Sequence, residues 1–119
     1  MRLVGAVKLT KEDFEKATQP LGGAAPRQSV TFEGETFKYL TTTLQASHKW
    51  QEVNAVLLLH PSGQRVVVLI TIRTPEGVAH YKVEMAVDVA DRRHFATAEN
   101  DPNSRKVIVR RAANFALDS

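Results

Sequence analysis

The sequence predicts an α+β fold, with an N-terminal helix packed on a mainly antiparallel β-sheet of about five or six strands. Three observations carry this. A helix-start signal follows an alternating segment near the N-terminus. A three-strand meander is written between residues 53 and 89. The length, 119 residues, suits one domain, 1–119. Apolar residues at 43% and charged residues at 24% belong to a chain that packs a core.

Leu3, Val7 and Leu9 alternate with Arg2 and Lys8, so residues 2–9 read as a first strand. Thr10 is a good N-cap, and Asp13 three residues later makes a variant capping box. Leu9 and Phe14 hold the two positions of a hydrophobic staple. Glu12, Asp13 and Glu15 suit the positive end of the helix dipole. The helix should run from Lys11 to Thr18 and stop before Pro20.

Residues 19–27, with Pro20, Gly22, Gly23 and Pro26, read as a loop. A hairpin follows, with Val30 and Phe32 opposite Tyr39 and Phe37. Its turn is expected at Gly34-Glu35, where glycine can supply the positive φ of a type II′ turn. The strand continues through Thr41 to Leu44, and the pattern of residues 45–52 is ambiguous. The meander strands are Val53 to His60, Arg65 to Arg73 and Val78 to Val89, separated by Pro61-Ser62-Gly63-Gln64 and Thr74-Pro75-Glu76-Gly77. Residues 91–105 read as a loop with one helical turn after Asp91. Lys106 to Arg110 read as a last strand, and Arg111 to Leu117 as a short terminal helix.

The two turns set residue 60 opposite 65 and residue 73 opposite 78. Side-chain direction then follows from the period of two. One face collects Val53, Ala55, Leu57 and Leu59, then Val66, Val68, Ile70 and Ile72, then Ala79, Tyr81, Val83, Met85 and Val87. It is wholly apolar, with Leu57, Val68 and Val83 at its centre. The N-terminal helix, with Phe14, Ala17 and Leu21, is its expected cover.

The opposite face is mixed. Val56, Leu58, Val67 and Leu69 lie together, framed by His60, Arg65, Lys82 and Glu84. Four adjacent aliphatic residues call for a cover: the C-terminal segment, a second copy of the chain or another partner. They are the candidate interface. On the same face Asn54, Thr71 and His80 form a cross-strand row. They are a candidate site for a small polar ligand, against the plainer reading of a hydrogen-bonded surface ladder.

The net charge of +3 is concentrated. Residues 92–111 hold Arg92, Arg93, Arg105, Lys106, Arg110 and Arg111 against Glu99 and Asp101, a local net of +4 from six cations and two anions. These six are the candidate nucleic-acid contacts. Phe95 and Phe115 are the nearby aromatics, and no helix-turn-helix or RNP-like pattern accompanies them.

Other chemistry finds no support. Cysteine is absent, which removes zinc-thiolate sites, a thiol nucleophile and disulfides, and fits a reducing compartment. There is no G-x-S-x-G, P-loop or G-x-G-x-x-G motif. His48, His60, His80 and His94 lack metal spacing. Glu33 and Glu35 flank a turn and are expected to face water. Trp50 is expected in the core, or beside His48 and Lys49 in a contact surface. No apolar run approaches the roughly 18 residues of a membrane span, so a soluble, cytoplasmic protein is expected.

Catalytic residues, metals and cofactors are therefore not assigned. The favoured reading is a non-enzymatic binding or interaction protein, with a homodimer through the mixed sheet face as one form of it. An alternative is a nucleic-acid-binding accessory protein using residues 92–111. A third is a small-ligand-binding or enzymatic domain with a cavity between helix and sheet.

Overall fold

A computed structural model describes residues 1–118. Six strands form one antiparallel sheet: β1 (Arg2–Leu9), β2 (Ser29–Phe32), β3 (Glu35–Leu44), β4 (Glu52–Leu59), β5 (Arg65–Thr74) and β6 (Gly77–Ala86). Their order is β1-β6-β5-β4-β3-β2. The helices are α1 (Lys11–Thr18), α2 (Arg92–Thr97) and α3 (Pro102–Asp118), with 3₁₀ turns at Gln19–Leu21 and Val89–Asp91. The class is α+β, and helix α1 has the expected bounds. The Thr10 side chain accepts the Asp13 N–H at 3.1 Å, so the cap forms as its spacing suggests.

The meander register is the expected one. Leu59 opposes Val66, the His60 N–H donates to the Arg65 carbonyl at 3.0 Å, and Arg73 opposes Val78. Leu57, Val68 and Val83 lie in one row and are fully buried.

The cover of the wholly apolar face differs from expectation. It is α3, through Ile108, Val109, Ala112, Ala113 and Ala116, and not α1. Residues 106–110 are accordingly helical rather than a last strand, and 111–117 continue the same helix. Val107, Ile108 and Val109 look like strand residues locally. Two signals outweigh them. The Asp101 carboxylate accepts the Asn103 N–H at 2.9 Å, with Pro102 at the first helical position. The buried set Ser104, Ile108, Ala112 and Ala116 recurs every fourth residue, and small alanines let the helix approach the sheet closely. Residues 91–105 are therefore not a loop; α2 and the first turn of α3 occupy most of them.

The mixed face is closed by the N-terminal part of the chain. Leu21 packs with Phe32, Phe37, Leu58, Val67 and Leu69, and Phe14, Ala17, Val30, Tyr39 and Val56 join them. Leu58, Val67 and Leu69 are 0%, 4% and 0% exposed within the single chain. Leu58, Val67 and Leu69 of the candidate interface are thus internal core, with Val56 partly buried beside them, and their cover is the N-terminal part of the chain rather than the C-terminal segment.

The β2–β3 hairpin helps to close this face. Phe32 opposes Glu35 and Val30 opposes Phe37, so the turn is Glu33-Gly34, one residue earlier than expected. Both have positive φ, 50° and 82°, the sign pattern of a type I′ rather than a II′ turn. Pairing shifts by two, so every side chain keeps its face. The hairpin tip reaches over β5 and β6: Glu35 holds Arg65 at 2.7 and 3.1 Å, and Glu33 meets Lys82 at 3.0 Å. Both carboxylates are exposed, as expected, and they also pair within the chain with Arg65 and Lys82, two of the charges that frame the mixed face.

Strand β1 carries one extra residue, Val4, between the Leu3–Met85 and Gly5–Glu84 pairs. This bulge exchanges the faces along the strand. Leu3 joins the α3 side, while Leu9 sits beside His80 on the α1 side, so the two do not share a face as simple alternation implies.

Candidate functional site

The register lays out the α1-side face in rows. Thr43, Asn54, Thr71 and His80 form one row across β3, β4, β5 and β6; Thr41, Val56, Leu69 and Lys82 form the next. Helix α1 has eight residues, so it is about 12 Å long, roughly half the ~24 Å width of a six-stranded sheet. It cannot roof the whole face. The Thr43–Asn54 end stays open as a groove of about 390 Å³. Phe14 and Thr18 of α1 form one wall, Thr41 to Thr43 the other, and Val56 and Leu69 the apolar floor.

Two of the three predicted polar-ligand residues, Asn54 and Thr71, line this groove, and His80 lies in the same row at its back. The row is also hydrogen-bonded. Thr43 Oγ1 donates to Asn54 Oδ1 at 2.9 Å, Asn54 Nδ2 donates to Glu52 Oε1 at 2.7 Å, and Thr71 Oγ1 and His80 Nδ1 are 2.9 Å apart. Ladder and groove are therefore one structure. The His80 ring stacks on Phe14, with centroids 4.6 Å apart and planes 26° from parallel. Burial holds its pKa below the ordinary histidine value; Glu15 opposes that shift and Lys11 adds to it. Sequence reading missed the threonines of β3 and the wall residues Phe14 and Thr18. A run of three threonines on a strand was a usable sign of a polar sheet end, but which helix stood beside it was not a local property.

The six basic candidates separate. Arg105 Nη1 donates to the Ala98 carbonyl at 2.8 Å and so fastens the end of α2 to α3. Arg111 Nη1 reaches buried Asp91 at 2.6 Å; the amino group of Met1 contacts the same carboxylate. Both are structural. The side chains of Arg92, Arg93, Lys106 and Arg110 make no hydrogen bond or ion pair among the described residues. They lie on the outer helical layer, across the sheet from the groove.

The other singled-out residues have local partners. Trp50 is buried against the α3 side, and its Nε1–H donates to the Gln45 carbonyl at 3.1 Å. His48 is exposed, and Lys49 Nζ donates to Asn114 Oδ1 at 3.2 Å. His60 Nδ1 accepts the Ser62 N–H at 3.1 Å and lies 2.8 Å from Ser62 Oγ, which accepts the Gln64 N–H at 3.2 Å. That arrangement places a hydroxyl, an imidazole and, at 3.6 Å, Glu35 in line. Glu35 is held by Arg65, whose hydrogen bonds lower its pKa, and the Ser62 bonds close the 60–65 turn. Among the described residues no three of His, Cys, Asp and Glu group to hold a metal ion, and no helix is long and apolar enough to cross a membrane.

No family model, curated protein or solved structure matches this chain.

Proposed function

We propose that this is a non-enzymatic binding protein whose ligand site is the groove between α1 and the Thr43–Asn54–Thr71 end of the sheet. The observation that carries the reading is the groove itself. About 390 Å³ of space with an apolar floor and convergent hydroxyl and amide groups is the usual make-up of a small-ligand site. The cysteine-free sequence suits a reducing cytoplasm, where we place the protein.

A second reading rests on a different surface. Arg92, Arg93, Lys106 and Arg110 are cations without partners among the described residues, and they suit a phosphate backbone. One NMR experiment separates the two. Small-molecule fragments and a short single-stranded DNA are titrated separately into ¹⁵N-labelled protein. The groove reading expects fragments to shift Thr41, Thr43, Asn54 and Thr71. If fragments leave these signals still while DNA moves α2 and α3 in a salt-sensitive way, the second reading replaces the first.

A further inference from the structure

We infer that the groove takes an uncharged, hydroxyl-bearing small molecule with one apolar face. The inference rests on the groove reading and adds the ligand's chemical class.

The polarity of the rim follows from one carboxylate. Glu52 can only accept hydrogen bonds, so the amide nitrogen of Asn54 must face it, at 2.7 Å. Asn54 Oδ1 then faces Thr43, and Thr43 must spend its proton there, at 2.9 Å. Thr18 spends its proton on the Phe14 carbonyl at 2.8 Å. These two hydroxyls therefore offer the groove lone pairs and no proton. Asn54 keeps its second Nδ2 proton, and Thr41 is free to donate or accept. The rim is richer in acceptors than in donors.

Charge narrows the class further. No charged side chain lines the groove. A carboxylate or phosphate would bring a charge and more acceptors, and would lose its hydration without a lining cation to replace it. An ammonium brings donors but meets no lining carboxylate; Glu52 is engaged by Asn54 and, at 3.7 Å, by Arg73. An alcohol brings protons for Thr18 and Thr43 and an oxygen for Asn54, with no charge to desolvate. Phe14 and Val56, both partly buried, then take an apolar face.

Three matched probes test this: phenyl β-D-glucopyranoside, phenyl β-D-glucuronide, which adds a carboxylate, and methyl β-D-glucopyranoside, which lacks the ring. Binding is read from amide shifts of Thr41, Thr43, Asn54 and Thr71. Phenyl glucoside should bind there, with the glucuronide weaker by about tenfold or more. The methyl glucoside should also bind more weakly. Thr43→Val, which removes a lone-pair donor at constant shape, should weaken phenyl glucoside by about fivefold. Thr41→Val serves as the second variant should Thr43→Val fail to fold, since Thr41 is exposed. Equal or tighter binding of the glucuronide, or unchanged affinity in the folded valine variant, overturns the ligand class. So do groove shifts caused by charged fragments but not by phenyl glucoside, which leave the groove reading standing. Groove signals that no fragment moves overturn both.

Discussion

His80 shows how one side chain links the sheet, α1 and the groove. It is stacked under Phe14 and hydrogen-bonded to Thr71, and burial lowers its pKa from the ordinary 6.5. The sign of the consequence is definite. The unfolded chain holds its proton at a higher pH than the folded chain does, so it binds more protons as pH falls through 6.5. Stability should decline from there until the folded-state value is passed. His80→Gln keeps a hydrogen-bonding partner for Thr71 and removes the titration. Urea melts at pH 7.5 and pH 5 should show a smaller difference for this variant than for the parent. Equal differences would mean that His80 is not desolvated by α1. At this scale the sequence was legible wherever parity alone decides. The Asn54–Thr71–His80 row and the Leu57–Val68–Val83 row follow from two turn lengths. The hairpin turn was misplaced by one residue because Glu33, a non-glycine, sits at φ 50° beside Gly34. Positive φ at a glutamate has no sequence signature, and its ion pair with Lys82 is a tertiary contact.

At the scale of elements, β5 is a strand buried on both sides, and two neighbouring residues state this. Val68 faces α3 and Leu69 faces the α1 side; each is 0% exposed. A sheet with one wet face would tolerate a charge at one of them. Here both Val68→Asp and Leu69→Lys should cost about 3 kcal/mol or more, because each buries a charge without a partner. Chemical denaturation measures the cost, and a Leu69→Lys variant as stable as the parent would show that α1 and the hairpin do not cover this face. The strands of the meander were legible because each carries its own period. The identity of each cover was not. An eight-residue helix with Phe14 and Ala17 and a seventeen-residue helix with Ile108 and Ala112 both have an apolar side. What assigns them is connection. Helix α1 leaves β1 at one edge of the sheet and must return to β2 at the other, so it and residues 19–28 cross the α1-side face. Helix α3 follows α2, which packs beside it on the opposite face. Val107, Ile108 and Val109 have strand character locally, so the full length of that second layer is not visible in the sequence.

For the whole molecule, the helices and hairpin laid over the two sheet faces bear on association. The apolar residues expected to draw in a second copy are instead packed under Leu21 and Phe14. The large exposed apolar side chains among the described residues are Val4, Val7, Val78 and Val89, spread over β1, β6 and the turn before α2. Scattered aliphatics of this kind are normal on a monomer. Sheet edges are the other route to self-association, and both are blunted. β1 is interrupted by the bulge at Val4 and carries Arg2 and Lys8, and β2 has four residues. Antiparallel pairing of two β1 strands about Gly5 would set Arg2 against Lys8, like charges face to face. The protein is therefore expected to sediment as a monomer at micromolar concentration. It should also unfold in one transition, because Leu57 and Leu58 on β4 alternate between the two cores and couple them through one strand. A dimer in the same experiment would require an interface outside the mixed sheet face. Comparing the parent with Val7→Lys would then show whether the β1 edge supplies it, since that change adds a third cation to the strand and should shift such a dimer to monomer.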